Sequence, residues 1–177
     1  MDATEINNIL SSHCSTRGTF LGTFPCDKLP TKIEKTVFCF VVNSQDHTQP
    51  GGHWLALYSS SAEHPLEYFD SYGLEPSNKY ILKFIENADN DMLQLSVKRV
   101  QPLFSALCGL HCLYYLVNRN SGIPFSNILK TYSGTNCNSN DVMVKKFCKE
   151  TFNYSMSKRK VDTFLADQIS REMIKNL

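Results

Sequence analysis

Leu107-Cys108-Gly109-Leu110-His111-Cys112-Leu113-Tyr114-Tyr115-Leu116-Val117-Asn118 is apolar nearly all round. A helix of that composition has to be buried, so the spacing predicts a central helix over 107–118. Three strand-like runs precede it: a continuous apolar run at 37–42, a second at 53–58 and a third at 66–70. Turn residues separate the three, Gln49-Pro50-Gly51-Gly52 before the second and Ser71-Tyr72-Gly73 after the third. Alternation at Leu93, Leu95 and Val97 predicts a half-buried strand over 93–100. Residues 77–90 suit a helix with an apolar stripe at Tyr80, Ile81, Phe84 and Ile85, and 3–12 a short one at the start. After the central helix come helical patterns at 124–132, 138–152 and 160–176, while 18–30, punctuated by Gly22, Pro25 and Pro30, is read as loop. Strands gathered between 37 and 100, with helices mainly after them, indicate an α+β fold.

A chain of 177 residues fits one domain over 1–177, large enough to fold without disulfide staples. Hydrophobic residues at 42% and charged residues at 20% exclude a disordered chain, and a formal net charge of +1 points to neither strong nucleic-acid binding nor an acidic partner surface. Seven cysteines, an odd number with no CxxC pair, fit free thiols in a reducing, intracellular compartment. The first ten residues lack the basic start and apolar run of a signal peptide, and no apolar stretch approaches the ~20 residues of a membrane span. There is no internal repeat.

Three segments carry chemistry: Gly51-Gly52-His53-Trp54, Tyr68-Phe69-Asp70-Ser71-Tyr72-Gly73, and Gln101 followed by Ala106-Leu107-Cys108-Gly109-Leu110. Cys108 stands at the expected start of the buried helix, where the positive helix terminus stabilises a thiolate. His53 heads a strand after a glycine turn, and Asp70 ends the next one. Pairing of the two strands would bring imidazole and carboxylate together as base and orienter, in the order His, Asp, Cys. The Gln101 amide, with the backbone N–H of Cys108, could form an oxyanion hole. Gly109 would let a substrate backbone approach. Gly22, Thr23 and Trp54 are further candidates for substrate contact.

The order GGHW, YFDSYG and Gln101-x6-Cys108-Gly109-Leu110, with the early Phe20-Leu21-Gly22-Thr23-Phe24, resembles the adenovirus-type processing proteases, the adenain family. It is similar, more distantly, to the SUMO-specific proteases of the same papain-like clan. The resemblance implies His53 as base, Asp70 as third member, Gln101 in the oxyanion hole and Cys108 as nucleophile. It also implies a nucleophile helix packed on a central mixed sheet, and cleavage of viral precursors next to glycine during virion maturation, in host nucleus and virion. No cofactor or metal is implied. The family's activators, a strand-adding peptide and DNA, are expected partners, on a chain that is otherwise a monomer. The adenoviral enzymes carry glutamate where Asp70 stands, whereas the SUMO proteases carry aspartate. They also carry a cysteine ahead of the oxyanion glutamine that bonds to the activating peptide; residues 87–100 here have none, so peptide activation is expected to be noncovalent. A relative from a non-mammalian virus or a virus-like DNA transposon fits these departures. An isopeptidase acting on a ubiquitin-like modifier and a catalytically inactive binding module on the same fold are the alternatives.

Plainer roles are open to neighbouring residues. His111, three residues beyond Cys108, is a rival base without an evident carboxylate partner. A zinc site from Cys108, His111 and Cys112 lacks a fourth ligand and the usual spacing. Lys145, Lys146 and Lys149 with the run Lys158-Arg159-Lys160 read as a solvated face or a weak DNA contact.

Overall fold

The run at 37–42 lacks polar alternation because both faces of its sheet are covered. The computed structural model describes residues 1–61, 63–88 and 92–154. Its elements are α1 (Ala3–Ser12), β1 (Phe20–Pro25), a 3-10 turn (Cys26–Lys28), β2 (Phe38–Asn43), β3 (Trp54–Ser59) and β4 (Leu66–Phe69). They continue with α2 (Lys79–Glu86), β5 (Leu93–Leu95), α3 (Cys108–Asn120), α4 (Phe125–Thr131) and α5 (Cys137–Phe152). The five strands lie in chain order in one mixed sheet, with β1 parallel to β2, β3 antiparallel to both β2 and β4, and β5 parallel to β4.

Side chains of a strand alternate between faces. Cys39 and Val41 of β2, with Ala56 and Tyr58 of β3, enter a core shared with α1, α3, α4 and α5. Phe40, Val42, Leu55 and Leu57 enter a second core closed by the 3-10 turn and α2. The fold is thus α+β, a sheet between two helical layers, with α3 buried from Cys108 to Val117.

α3 is tied to the sheet at several points. Phe69, the last residue of β4, stacks on Tyr115 with centroids 4.6 Å apart. Buried Glu67 receives Arg119 Nε at 2.8 Å and the Tyr115 hydroxyl at 2.5 Å. These contacts fix the end of β4, and therefore Asp70, relative to the helix that begins with Cys108.

Three expectations need correction. The segment 18–30 is not a loop: it contains β1, an edge strand with a register shift between Phe20 and Thr23. Gly22 within it has φ +141°, a conformation that side chains rarely adopt. The strand expected over 93–100 stops at Leu95, and Val97 is 72% exposed. In α2, Ile81 is buried but Tyr80 of the expected stripe is 40% exposed. The helix expected over 160–176 and the basic run 158–160 lie outside the described residues. No helix among the described residues is long and apolar enough to cross a membrane.

Candidate active site

Antiparallel pairing of β3 and β4 puts the residue before one beside the residue after the other. His53 precedes β3 and Asp70 follows β4, and His53 Nε2 lies 2.7 Å from Asp70 Oδ1. The turn leading into His53 needs its glycines: Gly52 has φ +94°, and a Cβ there would collide with the Asn43 side chain. His53 N–H donates to Ser44 Oγ at 2.9 Å, which sets the backbone of the imidazole. Asp70 is held as firmly. Its N–H donates to Ser96 Oγ at 2.8 Å, and its Oδ1 also accepts the Tyr72 N–H at 2.7 Å. The Tyr72 ring lies against the imidazole, with centroids 4.7 Å apart and planes inclined by 32°.

With Nε2 committed to Asp70, Nδ1 is the nitrogen left for Cys108, which is among the groups that raise the His53 pKa. Cys108 is the first residue of α3 and only 4% exposed. Burial works against its ionisation, but the His53 hydrogen bond and charge, together with the Trp54 backbone N–H, bring its pKa below the ordinary thiol value. Burial likewise works against a charged His53, yet Asp70 and Cys108 raise its pKa to about 9. The two shifts favour a thiolate–imidazolium pair at neutral pH. Burial pushes the other core thiols the opposite way, Cys39 to about 11 and Cys148 to about 12. All seven cysteines are free.

Gln101 is fully buried and its amide orientation is set from both ends. Oε1 accepts the Ser71 hydroxyl at 2.5 Å, and Nε2 donates one of its two protons to the Ser105 carbonyl at 2.6 Å. Trp54 points its indole N–H at the Met1 carbonyl, 3.1 Å away. The close approach found at Gly109 is that of α1: a Cβ there would lie 3.1 Å from Met1 Sδ and 3.4 Å from Ile6 Cδ1. Gly22 and Thr23 lie on β1, with β2 between that strand and β3. Thr23 Oγ1 is buried without a hydrogen-bond partner among the described residues.

His111, expected to lack a carboxylate, has one: its Nε2 lies 3.0 Å from Asp141 Oδ1 on α5. The supporting residues Ser96, Ser105 and Asp141 carry no local sequence signal. A cavity of about 530 Å³ lies on the far face of the sheet, between the segment 26–36 and α2, and takes in none of His53, Asp70 and Cys108.

No family model matches the chain. Among curated proteins it is 31% identical, over 97 residues, to a protein of Acanthamoeba polyphaga mimivirus named as a thiol protease, covering 50% of this chain and 32% of that one. It is 28% identical over 127 residues to the protease of Bovine adenovirus 7, covering 63% and 61%. It is 32% identical over 111 residues to the protease of Human adenovirus A serotype 12, covering 55% and 53%. The chain thus spans less than two thirds of the length of these relatives. Among solved structures, the crystal structure of the ASFV protease superposes with a TM-score of 0.51 at 21% identity, over 68% of this chain and 45% of that one. That likeness shows a shared fold. In sequence the chain is similar to viral proteases of adenoviruses and of mimivirus, and in fold to the ASFV protease.

Proposed function

We propose that the chain is a cysteine endopeptidase cleaving precursor proteins next to glycine, as in virion maturation. The observation that carries this is the His53 Nε2–Asp70 Oδ1 bond of 2.7 Å, beside a buried thiol at a helix start whose pKa the imidazole lowers. In this scheme the Cys108 thiolate attacks the scissile carbonyl carbon, and the carbonyl electron pair becomes an oxyanion facing the Gln101 amide and the Cys108 N–H. His53 gives its proton to the departing amine as the C–N bond breaks, leaving a thioester. Water, deprotonated by His53, then releases the acid and restores the thiol. Asp70 keeps the imidazole oriented throughout.

The glycine preference and the roles of Gly22, Thr23 and Trp54 in holding substrate are supported by the motif likeness to adenovirus-type proteases. The scheme needs no metal or cofactor. Regulation belongs to a peptide adding noncovalently at a sheet edge and to DNA bound through Lys145 and Lys149 of α5 with the run 158–160, on a monomeric enzyme in a reducing compartment. Mass spectrometry of products from a glycine-containing peptide library tests the reading. Cleavage beside glycine by wild type, lost on the order of a million-fold in kcat in Cys108→Ala, is expected. Cleavage at undiminished rate by Cys108→Ala would refute it.

A further inference from the structure

α5 contributes nothing to the triad, yet Asp141 near its start sends both carboxylate oxygens to groups flanking Cys108. Oδ2 accepts the Ser105 hydroxyl at 2.6 Å, and Oδ1 faces His111 Nε2 at 3.0 Å. Burial lowers the His111 pKa despite the pull of Asp141, so the ring is neutral at pH 7. A carboxylate only accepts, so Nε2 carries the proton and Nδ1 is left to accept from the Tyr132 hydroxyl, 3.4 Å away. Asp141 is thereby fixed by a buried, neutral donor.

Ser105 carries that fixed point into the site. It stands three residues before the nucleophile, and its carbonyl accepts both Gln101 Nε2 at 2.6 Å and the Tyr72 hydroxyl at 3.3 Å. Its Oγ also accepts the Leu107 N–H at 3.3 Å, just ahead of α3. One serine thus joins the amide of Gln101, the ring lying on His53 and the start of the nucleophile helix. Its hydroxyl, bonded to Asp141, ties it to α5.

We infer that Asp141 is a positioning residue for the oxyanion side of the site, acting through Ser105 to aim the Gln101 amide. This rests on the protease reading above. His53 and Asp70 are held by Ser44 Oγ, Ser96 Oγ and the Tyr72 backbone N–H, bonds that do not pass through Ser105, so ionisation of Cys108 is expected to survive loss of the Asp141 link.

The test is kinetics of Ser105→Ala, Asp141→Asn and the double variant, with iodoacetamide alkylation of Cys108 measured in each. Ser105→Ala should lose roughly 10- to 100-fold in kcat with little change in KM, less than the 10²–10³ that outright loss of an oxyanion donor costs. Its alkylation rate should stay at the wild-type level. Asp141→Asn, which still offers His111 an acceptor, should lose less, and nothing further once Ser105 is already alanine. Wild-type kcat in Ser105→Ala, additive losses in the double variant, or alkylation falling in step with turnover would each overturn the inference. The Gln101 side-chain amide resonances give a readout that needs no activity. They should shift and exchange faster in Ser105→Ala, and unchanged resonances would refute the positioning role even if the wild type cleaved no peptide.

Discussion

Replacing Asp70 by asparagine keeps the shape of the site and removes its charge. His53 Nε2 lies 2.7 Å from Asp70 Oδ1, and the Asp70 side chain is only 3% exposed, so solvent screens the pair little. A hydrogen bond to a charged group contributes about 1.5–3 kcal/mol, roughly twice a neutral one, so asparagine forfeits about 1–1.5 kcal/mol of support for the imidazolium. At about 1.36 kcal/mol per pKa unit, the value for His53 falls by about one unit from its position near 9. The sign follows from the direction of the shift. A raised histidine pKa keeps the ring protonated up to about 9, and the reactive pair is lost as pH rises through that value. The acid limb belongs to Cys108, whose depressed pKa lets the pair form below the ordinary thiol range. Asp70→Asn should therefore cost little near pH 6.5 but about fivefold in kcat/KM near pH 9, on top of any pH-independent loss of orientation. The assay is kcat/KM for one peptide across the pH range in both proteins. A uniform loss with the alkaline limb unmoved would refute the electrostatic part of this reasoning and leave Asp70 a geometric role only.

Other outcomes follow from neighbouring contacts. Tyr72→Leu removes the ring lying 4.7 Å from His53, and a cation–π contact of about 0.5–2 kcal/mol predicts kcat/KM lower by between about twofold and thirtyfold; unchanged kcat/KM would contradict it. Arg119→Met leaves buried Glu67 without its cation, which costs about 3–5 kcal/mol and a melting temperature lower by roughly 6–20 °C. A calorimetric drop below about 2 °C would show that α3 is not anchored there. Duplex DNA should raise the peptidase rate at low salt and lose its effect steeply as salt rises, with Lys145→Glu/Lys149→Glu weakening the response. A rate indifferent to DNA at low salt would make those lysines an ordinary solvated face.

The central part of the fold was legible because its residues repeat one message. The apolar run at 37–42 meets both sides of a covered sheet, and 107–118 forms the helix laid on it. His53, Asp70 and Cys108 could be placed because each stands at an element end, where strand pairing and a helix start bring them together. β1 was missed because Gly22 and Pro25 speak for a turn, whereas an edge strand accommodates glycine at an irregular register and proline at its end. Residues 96–100 lost their strand because Ser96 turns its hydroxyl to Asp70 and Val100 N–H reaches the Ser71 carbonyl, bonds that leave the ladder. The carboxylate of His111 escaped notice because Asp141 is 30 residues away on another helix, a pairing that only tertiary packing creates. Gly109 beside a nucleophile suggested room for substrate, while the space is taken by Met1 and Ile6 of the α1 layer.

In the proposed scheme His53 and Asp70 hold Cys108 as a thiolate where burial alone would keep it protonated. Brief iodoacetamide labelling at pH 6, followed by peptide mapping, tests it most directly. A thiol of ordinary pKa, about 8.5, is under about 1% ionised there, and the buried Cys39, Cys112 and Cys148 are pushed higher still. Cys108, although 4% exposed, should be modified ahead of exposed Cys14 and half-buried Cys137, and His53→Ala should abolish this preference while His111→Ala keeps it. Labelling of Cys14 or Cys137 first, or a Cys108 rate indifferent to His53→Ala, would contradict it.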